Sequence, residues 1–356
     1  MKVLLVTFSE NADHQDITFG MFEALLQANS PKCDVWVMAP NRPKVNVANH
    51  PHVHLVSCPH TPSIEAKTFD FNTLFSILRW LKKNDFDVVF FETLHVWNLP
   101  IMLLNRKRTR IYQMIHDLIP HEGDKNEKGV YLMNKIVCKL ADYIVICNKK
   151  YTITATEMYH VPLSRIKHTD LWKRFPEYTA PTYQKNVLFF GRINPYKGIG
   201  NLLSIVKACP EICFQVVGRV DPSVRELADR LSHYPNVVLK SEYVSDSDMK
   251  RAFVQSDWVI LPYNSATQSG VVIDAYRFSR PVIAFDVGAV SEQVDDGNSG
   301  FLIQAGDTSA FSEKLKYAVS LDKKDYDRMS VAAFDFGKAK YASEGAAEKF
   351  LRIITE

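Results

Sequence analysis

The stretch SDWVILPYNSATQSGVVIDAYRFSRPVIAFDVGAVSEQVDDGNSGFLI, residues 256–303, decides the fold class. Residues 258–262 are an apolar run closed by proline, the pattern of a strand buried on both faces. Small polar residues fill 265–269, and 270–278 has the spacing of a helix. A second buried strand is expected at 281–285, with a turn at 287–289. Strand, small-residue loop and helix in succession bring the first backbone N–H groups of that helix to the mouth of a parallel sheet. Those groups lack intrahelical partners and carry the positive end of the dipole, so they suit a phosphate. The same stretch also reads as one more plain βα unit, and what accompanies it must decide.

Outward from this stretch the alternation continues in both directions. Strands are expected at 2–8, 34–39, 54–56, 87–91, 111–115 and 143–147, then at 187–190, 213–217, 237–239, 258–261 and 282–285. Helices are expected between them, among them 18–28 and 71–83. Phe71, Leu74, Phe75, Leu78 and Leu81 share one helical face expected to pack on a sheet. Strand alternating with helix predicts doubly wound α/β domains. The chain of 356 residues is long enough for two of them, and the short polar segment TAPTYQK (179–185) is the expected linker.

Bulk composition narrows the class. Charged residues make up 23% and hydrophobic ones 46%, with a net charge of +3, which is ordinary for a soluble globular protein and too little for a nucleic-acid binder. Residues 1–178 carry 22 Lys/Arg against 18 Asp/Glu, and Arg106, Lys107, Arg108 and Arg110 form a local basic run there. That run would let the first half meet an anionic acceptor or the inner face of a membrane. The apolar run at the start is too short for a leader's core, so a cytoplasmic protein is expected. The six cysteines form no C-x-x-C pair, which points to core residues in a reducing compartment rather than a metal site.

Ligands of such sheets sit beyond the carboxyl ends of the strands. The loops there are 9–16, 92–95, 116–121, 191–197, 218–219, 263–269 and 286–292, and two tandem domains would line one cleft with them. GRINPYKG (191–198) offers Arg192 as a planar fork of donors and Lys197 as a compact charge, a clamp for a diphosphate beside Ser269 and Gly270. Alone, it reads as a solvated basic loop, and only its combination with Ser269 and Gly270 makes it specific. His116 ends a strand, where a ring nitrogen can meet a substrate hydroxyl or move a proton. No G-x-G-x-x-G follows the first strand, and no P-loop, zinc spacing or G-x-S-x-G elbow occurs.

GRINPYKG, followed some seventy residues later by DWVILPY…SGVVIDAYRFSRPVIAFDVGAVSEQVDDGNSGFLI, resembles the family 4 retaining glycosyltransferases of the GT-B fold. The match covers most of the second half; in the first, HDLIPH and Ile166 to His168 look like the family's loop histidines. The resemblance implies two Rossmann-like domains facing a cleft. Residues 1–178 would hold the acceptor, 179–339 the nucleotide-sugar donor, and a helix over about 340–356 would pack back on the first domain. Arg192 and Lys197 would neutralise the leaving diphosphate, helped by the amides of Ser269 and Gly270. Asp274 would grip the ribose, and His116 would lie near the donor sugar. Gly191, Gly218, Arg219, Thr267, Gln268 and Val271 would complete the donor site. Asn11, His14, Asp16, His95, Asp117, His121 and His168 are the acceptor-side candidates.

The implied reaction is sugar transfer from a nucleotide-diphosphate sugar to a glycan or lipid-linked acceptor in surface polysaccharide synthesis, with no metal and no cofactor. A nucleotide-sugar epimerase of the same fold and a silent sugar-nucleotide-binding scaffold are the competing readings. The chain departs from the family pattern in three places. Ala266 stands where the first glutamate of the paired motif belongs, Thr267 to Gly270 replaces the Gly-Phe-Gly run, and the first loop lacks its glycine pair.

Overall fold

The computed structural model describes residues 1–28, 33–46, 49–58, 66–105, 108–120, 127–242 and 244–355. They divide into two compact units, Met1–Arg174 with Lys340–Glu356, and Phe175–Ala339. The break precedes the expected 178/179 boundary because the Phe175 and Tyr178 rings pack edge-on against Phe334 of the second unit.

The first unit is built on β1 (Lys2–Val6), β2 (Asp34–Pro40), β3 (Val53–Val56), β4 (Val88–Phe91), β5 (Arg110–Ile115), β6 (Tyr143–Ile146) and β7 (Ile166–His168). All pairings are parallel, in the order β3-β2-β1-β4-β5-β6-β7. The second unit holds β8 (Val187–Phe190), β9 (Phe214–Val217), β10 (Val237–Lys240), β11 (Trp258–Leu261), β12 (Val282–Asp286) and β13 (Gly300–Gln304). They pair in parallel as β10-β9-β8-β11-β12-β13. Central strands such as β1, β4, β11 and β12 are buried on both faces, which is why they read as unbroken apolar runs. Strand order reverses once in each sheet, between β1 and β4 and between β8 and β11. Helices leave in opposite directions there, so a crevice opens at the carboxyl ends.

Four local expectations need correction. Helix α1 (Ala12–Gln27) starts well before residue 18, because Asn11 caps it: the Asn11 side chain accepts from the Asp13 amide at 2.9 Å. His14 and Asp16 therefore ride the first turns of a helix rather than a loop. Residues 166–168 are not a loop but the edge strand β7, paired with β6. The strand β13, absent from the periodicity reading, pairs with β12, and Gly300 permits it; a Cβ there would sit 2.1 Å from the Val282 carbonyl oxygen. Helix α2 (Phe71–Asn84) buries Leu74, Ile77 and Leu81, but Phe71 and Phe75 face outward at 57% and 61% exposure.

The chain returns to the first unit through the helix Ser343–Thr355, which lies along α1. Lys173 and Ala342 bridge in parallel, with Lys173 N–H donating to the Tyr341 carbonyl and Ser343 N–H to that of Lys173. Trp172 is buried and donates its indole N–H to the Ile17 carbonyl at 2.7 Å. Phe350 packs edge-on against both Phe90 and Trp172. No helix among the described residues is long and apolar enough to cross a membrane. Phe350→Ala should cost about 3–5 kcal/mol of stability, read by calorimetry as a lower midpoint for the first unit's unfolding.

Candidate functional site

In the second unit the crevice at the β8/β11 switch is held by backbone contacts. Gly191 follows β8 at φ 99°, and Gly218 follows β9; a Cβ on Gly218 would lie 2.0 Å from the Gly191 carbonyl oxygen. Gly198, at φ 71°, ends the loop and starts the helix Ile199–Ala208. A Cβ on it would strike the Pro262 carbonyl oxygen at 1.9 Å. Side-chain amides bind the same two loops together. Asn201 donates to the Pro262 carbonyl and to Asn264 Oδ1, while Asn264 donates to the Pro195 carbonyl. Its own N–H reaches the Tyr196 carbonyl at 2.7 Å.

This frame sets Lys197 in an unexpected place. It is not an exposed loop residue: it is 6% exposed, its Nζ donates to the Phe190 carbonyl at 3.0 Å and lies 5.1 Å from the Tyr263 ring. A Cβ on Gly191 would touch both this Nζ and Val271 Cγ2, so Gly191, Gly218, Lys197 and Val271 meet in one patch. No carboxylate partners Lys197 among the described residues. Burial, with repulsion from Arg192, brings its pKa down to about 7. Arg192 and Arg219 are exposed at the rim.

The helix Gly270–Arg277 begins beside this patch, but its first donor is taken. Ser269 N–H donates to Gln293 Oε1 at 2.7 Å, and Gln293 Nε2 returns a bond to the Ser269 carbonyl at 3.1 Å. The Ser269 amide, expected to serve a phosphate, is thus held by Gln293 here, and Gly270 follows with nothing within 4 Å of where a Cβ would stand. Ala266 and Thr267 are buried and Gln268 is half-buried, with the Ala266 carbonyl accepting from the Ala289 amide. Asp274 is 5% exposed and its Oδ1 accepts from Arg277 at 3.0 Å. Gln293, Asn201 and Asn264 support the site yet carry no motif in the sequence.

In the first unit, the β1/β4 switch gathers three titratable side chains. Glu92 directly follows β4 and is 1% exposed. Its Oε1 accepts from His14 Nδ1 at 2.8 Å and from His116 Nε2 at 2.7 Å. Burial alone would raise the Glu92 pKa, but the two imidazoles outweigh it and hold the carboxyl at about 2. For His14, burial pulls down and the Glu92 charge pulls up, with a net upward shift. Of the expected residues, His14 and His116 thus come together, and Glu92 between them is the one missed.

The other acceptor-side candidates have further partners, and Asp117 adds to the upward shift of His14. Asn11 is a helix cap, and Asp16 pairs with Arg174 at 2.8 Å. His95 is buried against Phe8 and Trp97, its Nδ1 accepting from the Trp97 amide. His168, on β7, bonds Thr152 Oγ1 at 2.8 Å. Asp117 is exposed, its carbonyl held by Asn134. His121, Arg106 and Lys107 lie outside the described residues. Arg108 is exposed, and Arg110, half-buried, opens β5 at its N-terminal end.

Comparison with known proteins fits this arrangement. The family model "Glycosyltransferase Family 4" matches residues 23–168, and "Glycosyl transferases group 1" matches residues 184–320. A phosphatidyl-myo-inositol mannosyltransferase of Mycobacterium leprae is 25% identical over 334 residues, covering 90% of this chain and 87% of that protein. A GDP-mannose:glycolipid 4-beta-D-mannosyltransferase of Xanthomonas campestris is 26% identical over 56% of this chain and 57% of its own length. Among solved structures, Anabaena Alr3699/HepE in complex with UDP-glucose has a TM-score of 0.73 at 14% identity, over 100% of this chain and 99% of that one. The sucrose-phosphate synthase of Thermosynechococcus elongatus has a TM-score of 0.72 at 15% identity, over 100% and 98%. These two likenesses show the fold. Two parallel doubly wound sheets, the glycine-framed lysine loop and both family matches together make the chain a GT-B-fold member of the family 4 glycosyltransferases.

Proposed function

We propose that the chain is a retaining glycosyltransferase that takes its sugar from a nucleotide-diphosphate sugar and builds a surface polysaccharide. The single observation that carries this reading is Lys197. A buried ammonium without a carboxylate is costly, and the cost falls when an anion enters beside it. A diphosphate is the anion that suits the spacing of Lys197, Arg192 and the Gly270 helix start. As the glycosidic bond breaks, negative charge grows on the leaving phosphate, and fixed cations there favour the transition state over the ground state. In this reading the cations carry the leaving-group charge, so the transfer itself needs no metal and no cofactor. Retention then follows front-face attack, with the departing phosphate oxygen taking the acceptor's proton. Asp274 on the ribose and His116 beside the donor sugar are the remaining assignments of the proposal.

The acceptor is proposed to be glycan or lipid-linked. The names of the two mannosyltransferase relatives, one acting on a glycolipid and one on phosphatidyl-myo-inositol, support a lipid-bearing acceptor. The surface of the first unit supports a peripheral membrane contact. Phe69, Phe71 and Phe75 are exposed, as are Leu103 and Leu104 on α3 (Asn98–Asn105), which packs on α2. Arg79, Lys82 and Lys83 are exposed on α2 itself. Apolar side chains bordered by basic ones suit an anionic lipid surface.

Four outcomes check the reading. A nucleoside diphosphate should raise the melting midpoint of the wild type, since it binds only the folded state, and this gain should vanish in Lys197→Met. The same variant should lose transfer by about 10²-fold or more, measured as product formed from donor and acceptor; product from donor alone would instead indicate an epimerase. Without ligand, Lys197→Met should melt higher than wild type at pH 7, because the native lysine pays for burying its charge. Between pH 7 and about 10.5 the unfolded chain binds more protons than the native one at this lysine, so wild-type stability rises and the gap closes. Gln293→Ala should free the Ser269 amide and weaken nucleotide binding with a smaller loss of turnover, because the helix start loses its tether.

A further inference from the structure

We infer that His14, Glu92 and His116 form a binding site for one divalent transition-metal ion of the zinc class. The inference uses residues of the first unit alone, and it competes with the reading above for His116, whose Nε2 cannot meet a donor sugar and hold the ion at once; the test therefore reads metal binding rather than transfer. His14 Nδ1 and His116 Nε2 both bond Glu92 Oε1, and ligand atoms of the three residues all lie within 4.8 Å of one another. They come from three separate elements: the first turns of α1, the end of β4 and the end of β5. A backbone bond fixes one of these: the Glu92 amide donates to the Val6 carbonyl at 2.9 Å. His116 Nε2 donates to the Glu92 carbonyl at 3.0 Å, a bond that the ion would replace.

Chemistry selects the ion. Two imidazoles and one carboxylate are the donor set of three-ligand zinc sites that keep a position open for water or a substrate oxygen. Magnesium and calcium prefer all-oxygen shells, so they do not compete well for two ring nitrogens. A zinc ion about 2 Å from each donor places neighbouring donors roughly 3.3 Å apart. Here both nitrogens already converge on Glu92 Oε1 at 2.8 and 2.7 Å, so a movement of about half an ångström admits the ion. Each imidazole then presents a lone pair where it now donates, and its proton sits on the other ring nitrogen. The remaining carboxylate oxygen, Glu92 Oε2, is buried with no hydrogen-bond partner. A polar atom left so is expensive. A second bond to the ion, or a bond from an ion-bound water, satisfies it.

The test uses the full, untagged chain after treatment with a chelator. Zinc titrated by calorimetry should bind at one equivalent per chain, and it should raise the melting midpoint. Cobalt should give the visible absorption of a four- or five-coordinate site. His14→Ala, a partly exposed position whose loss leaves the sheets intact, should weaken zinc binding by about tenfold or more and abolish the cobalt spectrum. Glu92→Gln, checked for folding by circular dichroism, should do the same. His52→Ala, which alters the separate His52–Asp34 pair, should change neither. Wild type that binds no zinc, or binds it as tightly after His14→Ala as before, would overturn the inference; so would loss of the cobalt spectrum in His52→Ala.

Discussion

No side chain can stand between Gly218 and the carbonyl of Gly191, nor between Gly198 and the carbonyl of Pro262. That steric constraint governs the second unit. It draws three strand-end loops together by backbone alone, at distances a Cβ would forbid. The loop from β8 must then turn inward, which carries Lys197 under its own strand end and into a site with no anion of its own. Amide side chains of Asn201, Asn264 and Gln293 fasten the loops from outside. The result is a preorganised positive site whose cost is met by the surrounding packing rather than by a fixed counter-charge.

The first unit solves a different electrostatic problem at the corresponding reversal of strand order. There a carboxylate is buried, and two imidazoles from neighbouring elements keep it ionised. Buried charge is met by charged partners in the first unit and only by a backbone carbonyl at Lys197 in the second. The two sites thus differ in sign: a buried lysine in one, and a carboxylate drawing in positive groups in the other.

Most of the architecture was legible because parallel strands buried on both faces announce themselves as apolar runs, and the helices between them keep a 3.6-residue period. The strands β7 and β13 were not, being short and each carrying few apolar residues or a glycine at its start. Residues 166–168 read Ile-Lys-His, and β13 begins at a glycine. The early start of α1 hides behind a polar first turn, where Asn11, Asp13 and His14 look like loop. Arg192, Lys197 and the glycines were legible through spacing at a strand end. The burial of Lys197, the use of the Ser269 amide by Gln293 and the central place of Glu92 were not. Each depends on residues brought together from distant parts of the chain, which no local pattern encodes.

The first unit is assembled from both extremes of the chain: Lys173 joins Ala342, and Phe350 fills the space beside Phe90 and Trp172. The second unit is continuous, from Phe175 to Ala339. On a ribosome, then, the unit begun first is the one finished last. The second sheet can close as soon as it emerges, while the earlier sheet waits with an open groove beside α1 until the helix Ser343–Thr355 arrives.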